Sequence, residues 1–195
     1  MEPMESFSHY SDSEVVALTL VNTSAFTELV TRYEAKLLRY VRRLGIQNSE
    51  DQEDVLQEIF IKVYKNLNGF DTTFSFSSWI YRIAHNEAIS FYRKRNVRPE
   101  GHQIADSEEI LSWLAADSHS PERIFDTAVS VTILTEALNQ LEEKYRDPIL
   151  LRYFEHKEYE EISDILKIPI GSVGTLIHRG KKRLQELIPV TQISI

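Results

Sequence analysis

The chain has 195 residues, 42% of them hydrophobic, and carries a formal net charge of −8 with no cysteine. This composition supports a folded core, and the lack of cysteine excludes a disulfide scaffold and any thiolate metal site or nucleophile. No apolar run approaches the roughly 20 residues of a membrane span, and the polar, acidic N-terminus does not resemble a signal peptide, so we expect a cytoplasmic protein without membrane insertion of its own.

Apolar residues spaced three or four apart predict the first helices. One row covers residues 26–44 and is followed by Gly45, a suitable helix end. The next covers residues 55–67 and follows a capping-box pattern at Ser49 and Gln52. A third row, from residue 79 to 88, continues into the basic stretch FYRKRN. We therefore expect a helical domain over residues 23–96, with residues 1–22 forming a tail and the start of the first helix.

The pattern fades between residues 97 and 123, where two prolines, a glycine and several acids predict a flexible linker. A second helical block follows over residues 124–188, with Pro148 at a plausible helix start. A short helix at residues 159–166, a turn at Lys167 and a last helix from Ile170 complete it, and residues 189–195 form a tail. With no alternating strand pattern, the fold class is all-α: two small helical domains joined by a linker.

The last two helices have the spacing of a helix-turn-helix, in which the second helix enters the major groove. Donors, small residues and cations suited to bases and phosphates lie on that helix: Ser172, Gly174, Thr175, His178, Arg179, Lys181, Lys182 and Arg183. Two interior glycines, Gly174 and Gly180, cost about 1 kcal/mol each relative to alanine, which favours a helix that approaches the DNA backbone closely. The alternative is an ordinary helical hairpin with a solvated basic end.

Residues 70–96 combine aromatic rings with cations and amides. The members suited to single-stranded nucleic acid are Phe74, Phe76, Trp79, Arg82, Asn86, Arg93, Lys94 and Arg95. Rings stack on unpaired bases while cations follow the phosphates, and a base held outside the duplex is the extreme case. The alternative is that the aromatic residues are simply core residues.

The acidic segment SEDQEDVLQEIFIKVYKNL is either a solvated helix face or a docking surface for a basic partner. The six histidines show no metal-ligand spacing, and the chain has no glycine-rich phosphate loop and no evident Ser/His/Asp order. We therefore expect no catalytic residue, no metal and no cofactor, and nothing in the sequence favours an enzyme.

These three segments, in this order, resemble the extracytoplasmic-function (ECF) sigma factors of bacterial RNA polymerase over about residues 26–187. EDVLQEIF is similar to their polymerase-binding helix, FSSWIYRIAHNEAISFYRKR to their promoter-melting helix, and the chain from LNQLEEKYRDP to GKKRL to their second domain. The chain departs from the family at Gln52, where alanine is usual, and at Gly174, where lysine or arginine is frequent.

The resemblance implies a non-enzymatic subunit that directs promoter-specific transcription initiation. It implies that core RNA polymerase binds at Asp54, Gln57, Glu58 and Lys62. The aromatic and basic residues of 70–96 would then capture the melted −10 element of promoter DNA, and the helix-turn-helix would bind the −35 element as duplex. An anti-sigma factor is a further expected partner. Two alternatives remain open: a free-standing helix-turn-helix regulator and a pure protein-interaction module.

Overall fold

The computed structural model describes residues 7–95 and 127–188, and the regular structure within these ranges is helical. The α-helices there are α1 Asp12–Val21, α2 Phe26–Arg43, α3 Ser49–Asn66, α4 Phe76–Arg95, α5 Thr127–Gln140, α6 Glu143–Tyr153, α7 Tyr159–Leu166 and α8 Ile170–Leu187, with short 3-10 turns at Thr23–Ala25 and Leu67–Gly69. The all-α fold class is confirmed. The predicted linker and C-terminal tail lie outside the described residues.

Helix α1 is a separate helix where the sequence predicted only a tail and the start of the first helix. It begins at a capping box in which Ser11 Oγ accepts from the Glu14 N–H, and the Glu14 carboxylate accepts from the Ser11 N–H at 2.7 Å. Val15 and Val16 bury its inner face against the rest of the first domain. The signal for this helix, Ser11 followed three residues later by Glu14, is present in the sequence.

The turn between α2 and α3 differs from prediction at its cap. Gly45 ends α2 with a left-handed φ of 106°, as expected. The predicted capping box at Ser49 and Gln52 is wrong, because the Asn48 side chain accepts from the Asp51 N–H at 3.1 Å and so starts α3 one residue earlier. Gln52 is buried instead, and its amide donates to the Ile46 carbonyl at 2.8 Å, which ties the turn to the helix.

The first domain packs α2, α3 and α4 around a shared core. Leu37, Tyr40, Ile59 and Ile80 are completely buried there. Burying one such side chain stabilises the fold by about 1.5–3 kcal/mol. The spacing of three and four that predicted these helices therefore corresponds to the faces that meet in the core.

The second domain packs α8 against α5, α6 and α7. The predicted helix start at Pro148 is wrong: α6 begins at Glu143, and Pro148 lies inside it. Pro148 has no N–H to donate to the Lys144 carbonyl and its ring crowds that carbonyl, yet the turn still forms with Tyr145, Arg146 and Ile149 buried around it. Helix α7 of this domain lies along α4 of the first, so the two domains are in contact.

The turn of the helix-turn-helix lies between α7 and α8. Lys167 adopts left-handed angles, φ 54° and ψ 44°, and closes α7 in a conformation that favours glycine. The Ser163 hydroxyl donates to the Ile168 carbonyl at 2.7 Å and holds the turn. Ile162 and Val173 are completely buried between the helices, as the predicted packing requires. Within the described ranges, no helix is long and apolar enough to cross a membrane.

Candidate nucleic-acid interface

An exposed loop precedes α4 and presents one aromatic ring to solvent. The Asp71 carboxylate accepts from the Thr73 N–H at 2.9 Å and from its hydroxyl at 2.8 Å. These hydrogen bonds hold the pKa of Asp71 below its usual value, because they favour the charged carboxylate. The ordered turn carries Phe74 with 57% of its surface exposed. The Phe74 ring is therefore open to contact from outside the protein.

The other two predicted aromatic contacts are buried to different degrees. Phe76 is 3% exposed and packs edge-on against Phe70, with ring centroids 5.4 Å apart. This burial corrects the prediction that Phe76 contacts single-stranded DNA, because the ring would have to leave the core to stack on a base. Trp79 is 9% exposed, packs on Phe70 at 5.2 Å, and lines a surface cavity.

That cavity, of about 470 Å³, lies between α3 and α4. Its lining is polar around the tryptophan and includes Lys62, Asn66, Gly69, Trp79, Arg82, Ile83, Asn86 and Glu87. Side-chain amides provide both donors and acceptors, which match the edges of a base. Of these residues the sequence predicted Trp79, Arg82 and Asn86 as single-strand contacts.

Four lining residues were not predicted as site residues, namely Asn66, Gly69, Ile83 and Glu87, and a fifth, Lys62, was predicted for polymerase binding. Lys62, predicted to contact polymerase, is exposed and donates to the Glu87 carboxylate at the cavity wall. Asn66 lies one helical turn after Lys62 and donates to its carbonyl at 2.7 Å. The spacing of four between Lys62 and Asn66 was the available signal, because it places both on one face of α3.

The remaining predicted polymerase contacts lie on the turns of α3 that precede Lys62. Asp54, Gln57 and Glu58 are exposed there. Gln57 borders a shallow apolar cavity of about 490 Å³ that is lined by Phe26, Val30, Phe60, Ile61, Tyr64 and Lys65. An acidic strip beside exposed apolar surface is suited to a basic, amphipathic protein partner.

The exposed face of α8 carries most of the residues predicted for duplex DNA. Thr175, His178, Arg179, Lys182 and Arg183 are exposed, whereas Ser172 and Gly174 are half-buried. Arg183 also donates to Glu142 at 2.8 Å and lies over the Tyr145 ring, so its side chain is held against the start of α6. The basic end of α4 also presents cations to solvent: Arg93 and Lys94 are exposed on its last turn, before Arg95.

One predicted cation and one glycine face inward. Lys181 is 6% exposed, which corrects the prediction that it contacts DNA, because its side chain is on the buried side of α8. At Gly180 an added Cβ would lie 2.7 Å from Ile149 Cδ1 and 3.3 Å from the Tyr145 carbonyl oxygen. The close approach at Gly180 is therefore to α6 and not to DNA. At Gly174 an added Cβ would meet only Tyr159, at 3.3 Å.

Comparisons with known proteins match these two domains. Residues 29–98 match the family Sigma-70 region 2, and residues 132–184 match Sigma-70, region 4. The chain is 35% identical over 170 residues to the ECF RNA polymerase sigma factor SigW of Bacillus subtilis, covering 83% of this chain and 88% of that protein. It is 32% identical to the RNA polymerase sigma-H factor of Pseudomonas aeruginosa, covering 84% and 86%.

The fold is similar to solved structures of lower identity. CnrH in complex with the cytosolic domain of CnrY matches with a TM-score of 0.66 at 22% identity, covering 90% of this chain and 96% of that one. The sigma factor RpoE in complex with the anti-sigma factor NepR from Bartonella quintana matches with a TM-score of 0.59, also at 22% identity, covering 84% and 98%.

Proposed function

We propose that the two domains of this chain bind different states of promoter DNA. The chain belongs to the ECF sigma factors and directs transcription initiation by bacterial RNA polymerase. Its first domain binds melted promoter DNA and its second binds duplex. The observation that carries the proposal is the combination, in one chain, of a polar, tryptophan-lined cavity and a helix-turn-helix with an exposed basic face. A regulator that binds only duplex operators has no use for the cavity.

In the first domain, an unpaired base of the −10 element enters the cavity between α3 and α4. Asn86 and Asn66 supply the hydrogen bonds that distinguish one base edge from another, and the Trp79 ring supplies an apolar wall. Phe74 stacks on a neighbouring base from the loop. Arg93 and Lys94 hold the phosphates at the end of α4.

In the second domain, the first turns of α8 enter the major groove of the −35 element. Thr175 and His178 are exposed there and reach base edges, while Arg179 and Lys182 lie further along the helix and hold phosphates. Gly174 brings no side chain to the groove, so the neighbouring Tyr159, 38% exposed, forms part of this surface.

Core RNA polymerase binds the exposed acidic strip of α3, formed by Asp54, Gln57 and Glu58, with the adjoining apolar cavity accepting side chains of the partner. The overall charge of −8 keeps the free chain from binding DNA indiscriminately, so polymerase delivers it to promoters. The function places the chain in the cytoplasm. An anti-sigma factor, the kind of partner named for the similar RpoE structure, is a further candidate partner.

Run-off transcription with core polymerase on a genomic fragment library, followed by mapping of the start sites, tests the proposal. We expect transcripts that begin downstream of one recurrent pair of sequence elements. The double variant Asp54→Arg with Glu58→Arg should lose co-purification with core polymerase because it reverses the charge of the strip. Glu34→Arg, an exposed charge reversal on α2, is the control. An inactive wild-type chain, or full polymerase binding by the double variant, would refute the assignment.

A further inference from the structure

Two large apolar side chains are exposed at the helix-turn-helix. Tyr159, the first residue of α7, is 38% exposed, and Ile170, the first residue of α8, is 49% exposed. Burial is described for residues 133–188 of the second domain, and within that range no other large apolar side chain is exposed. The two side chains are therefore a feature of this motif and not part of a general scatter of apolar residues over the surface.

Gly174 connects these two side chains into one surface. A Cβ added at Gly174 would lie 3.3 Å from Tyr159 Cε2, so the edge of the ring lies close to the backbone of α8 at this residue. Ile170 is four residues before Gly174, so it lies one turn earlier on the same face of the helix. Tyr159, Ile170 and the bare backbone at Gly174 together form what we name the apolar patch.

The Tyr159 ring is held in place by Arg152 of α6. The guanidinium carbon lies over the ring, 5.6 Å from its centroid, and a cation in this position is attracted by the aromatic face. Arg152 is itself fixed, because its Nη1 donates to the Lys157 carbonyl at 3.0 Å and pairs with the Glu158 carboxylate at 3.0 Å. A ring that is already held loses less conformational freedom when it binds, which favours binding.

The apolar patch continues into the basic face of α8. Ile170, Gly174, His178 and Lys182 follow one another at intervals of four residues, so they form one row along the helix. His178 and Lys182 are exposed, as is Arg179 beside them. A duplex whose phosphates contact Arg179 and Lys182 would therefore bring its major groove against the apolar patch at the start of the helix.

The major groove offers one kind of apolar group to such a patch. Base edges present hydrogen-bond donors and acceptors there, and thymine alone adds a C5 methyl group. Polar base edges that meet only the apolar surface of Tyr159 and Ile170 would lose hydrogen bonds to water without replacement, which costs free energy. A methyl group has no such bonds to lose, and its burial is favourable. The chemistry of the apolar patch therefore fits thymine.

We propose that the apolar patch is a methyl-binding site, at which Tyr159 and Ile170 bury the C5 methyl group of a thymine in the −35 element. Gly174 contributes by its lack of a side chain, because a longer residue there would stand between the Tyr159 ring and the base. The proposal rests on the proposed function, since it names the group that the start of α8 recognises in the duplex.

Replacement of thymine by deoxyuridine tests the proposal, because it removes only the C5 methyl group and keeps the base pair. Holoenzyme formed from the full chain and core polymerase is bound to a promoter mapped with the wild-type chain, and each thymine on either strand of the −35 element is replaced in turn. At one thymine or more we expect binding to weaken about fourfold, the contribution of one buried methyl group. A change of less than about twofold at every thymine would overturn the proposal.

Variants of the apolar patch assign the methyl preference to these residues. Tyr159→Ser with Ile170→Ser removes both apolar side chains from exposed positions, so the variant should bind thymine and deoxyuridine duplexes equally, within about twofold. Tyr159→Phe is the matched control, because it keeps the ring and should keep the preference of about fourfold for thymine. A folded double variant that still prefers thymine, or a loss of the preference in Tyr159→Phe, would contradict the assignment.

The outcomes separate this proposal from the proposed function. A wild-type chain that transcribes from its promoter but does not distinguish thymine from deoxyuridine would overturn the methyl-binding site and leave the sigma-factor assignment intact. An inactive wild-type chain on core polymerase would refute both. Equal losses of binding to the two duplexes in the double variant would show that the apolar patch binds another partner, such as polymerase, and would also overturn the proposal.

Discussion

The faces of α4 and α8 that we propose to bind DNA are built in different ways. On α4 one proposed contact is also a core residue: Trp79 lines the cavity and is only 9% exposed. On α8 the exposed cations Arg179 and Lys182 lie opposite a separate buried face that includes Ile177 and Leu184. Changes at Trp79 should therefore alter both stability and promoter melting, whereas changes to the exposed face of α8 should alter DNA binding alone.

The largest expected effect is at the aromatic core beneath α4. Phe76→Ala removes a ring that packs on Phe70 and Tyr33, so it should lower the free energy of unfolding by about 3–5 kcal/mol. Denaturant unfolding followed by circular dichroism measures the change. Its matched control is Phe74→Ala, two residues earlier and exposed, which should alter stability by less than about 0.5 kcal/mol yet reduce promoter melting.

The loss of stability in Trp79→Ala should lie between those of these two variants, and this variant should also lose promoter melting. Unchanged promoter melting by a folded Trp79→Ala variant would contradict the proposal that Trp79 forms a wall of the base-binding cavity. A stability loss in Phe74→Ala as large as that in Phe76→Ala would contradict the described burial of the loop.

A smaller effect is expected where α8 packs on α6. Gly180→Ala forces Ile149 and the Tyr145 backbone to move, so it should destabilise the fold by about 1–3 kcal/mol. Gly174→Ala meets only Tyr159 and gains helix propensity, so its stability should stay within about 1 kcal/mol of wild type. Thermal unfolding compares the two variants. If they are equally stable, the close approach at Gly180 is not a packing contact.

The smallest effect on stability is expected on the exposed face of α8. Arg179→Ala should change the free energy of unfolding by less than about 0.5 kcal/mol. It should nevertheless weaken binding to a −35-containing duplex across sequences and lower the salt slope by about 1, because it removes one phosphate contact. Fluorescence anisotropy across a salt series measures both quantities. Unchanged −35-dependent transcription would remove Arg179 from the interface.

Most of the helical fold could be predicted because it depends on local pattern. The apolar spacing of α2, α3 and α4 and the turn at Lys167 each follow from a few neighbouring residues. The errors were local too. At α1 the capping box of Ser11 and Glu14 marks a helix that apolar spacing alone does not indicate, and at α6 the proline lies inside the helix although its commonest helical position is the first turn.

The docking of the two domains could not be predicted in this way. Arg82 and Asp164 are 82 residues apart, and their contact depends on how two folded domains meet. No periodicity in either segment marks such a pair. The burial of Lys181 is similar: its neighbours Lys182 and Arg183 are exposed, and only the packing of α8 on the other helices distinguishes them. Basic residues next to one another in sequence therefore need not share one surface.

The most direct test of the two-element account is the distance between the domains during promoter binding. Glu34→Cys and Glu186→Cys, both exposed and in a chain without other cysteines, allow specific labelling with a donor and an acceptor dye. We predict efficient energy transfer in the free chain and a marked drop when core polymerase and promoter DNA are added. Unchanged, efficient transfer in complexes that still produce transcripts would contradict the account.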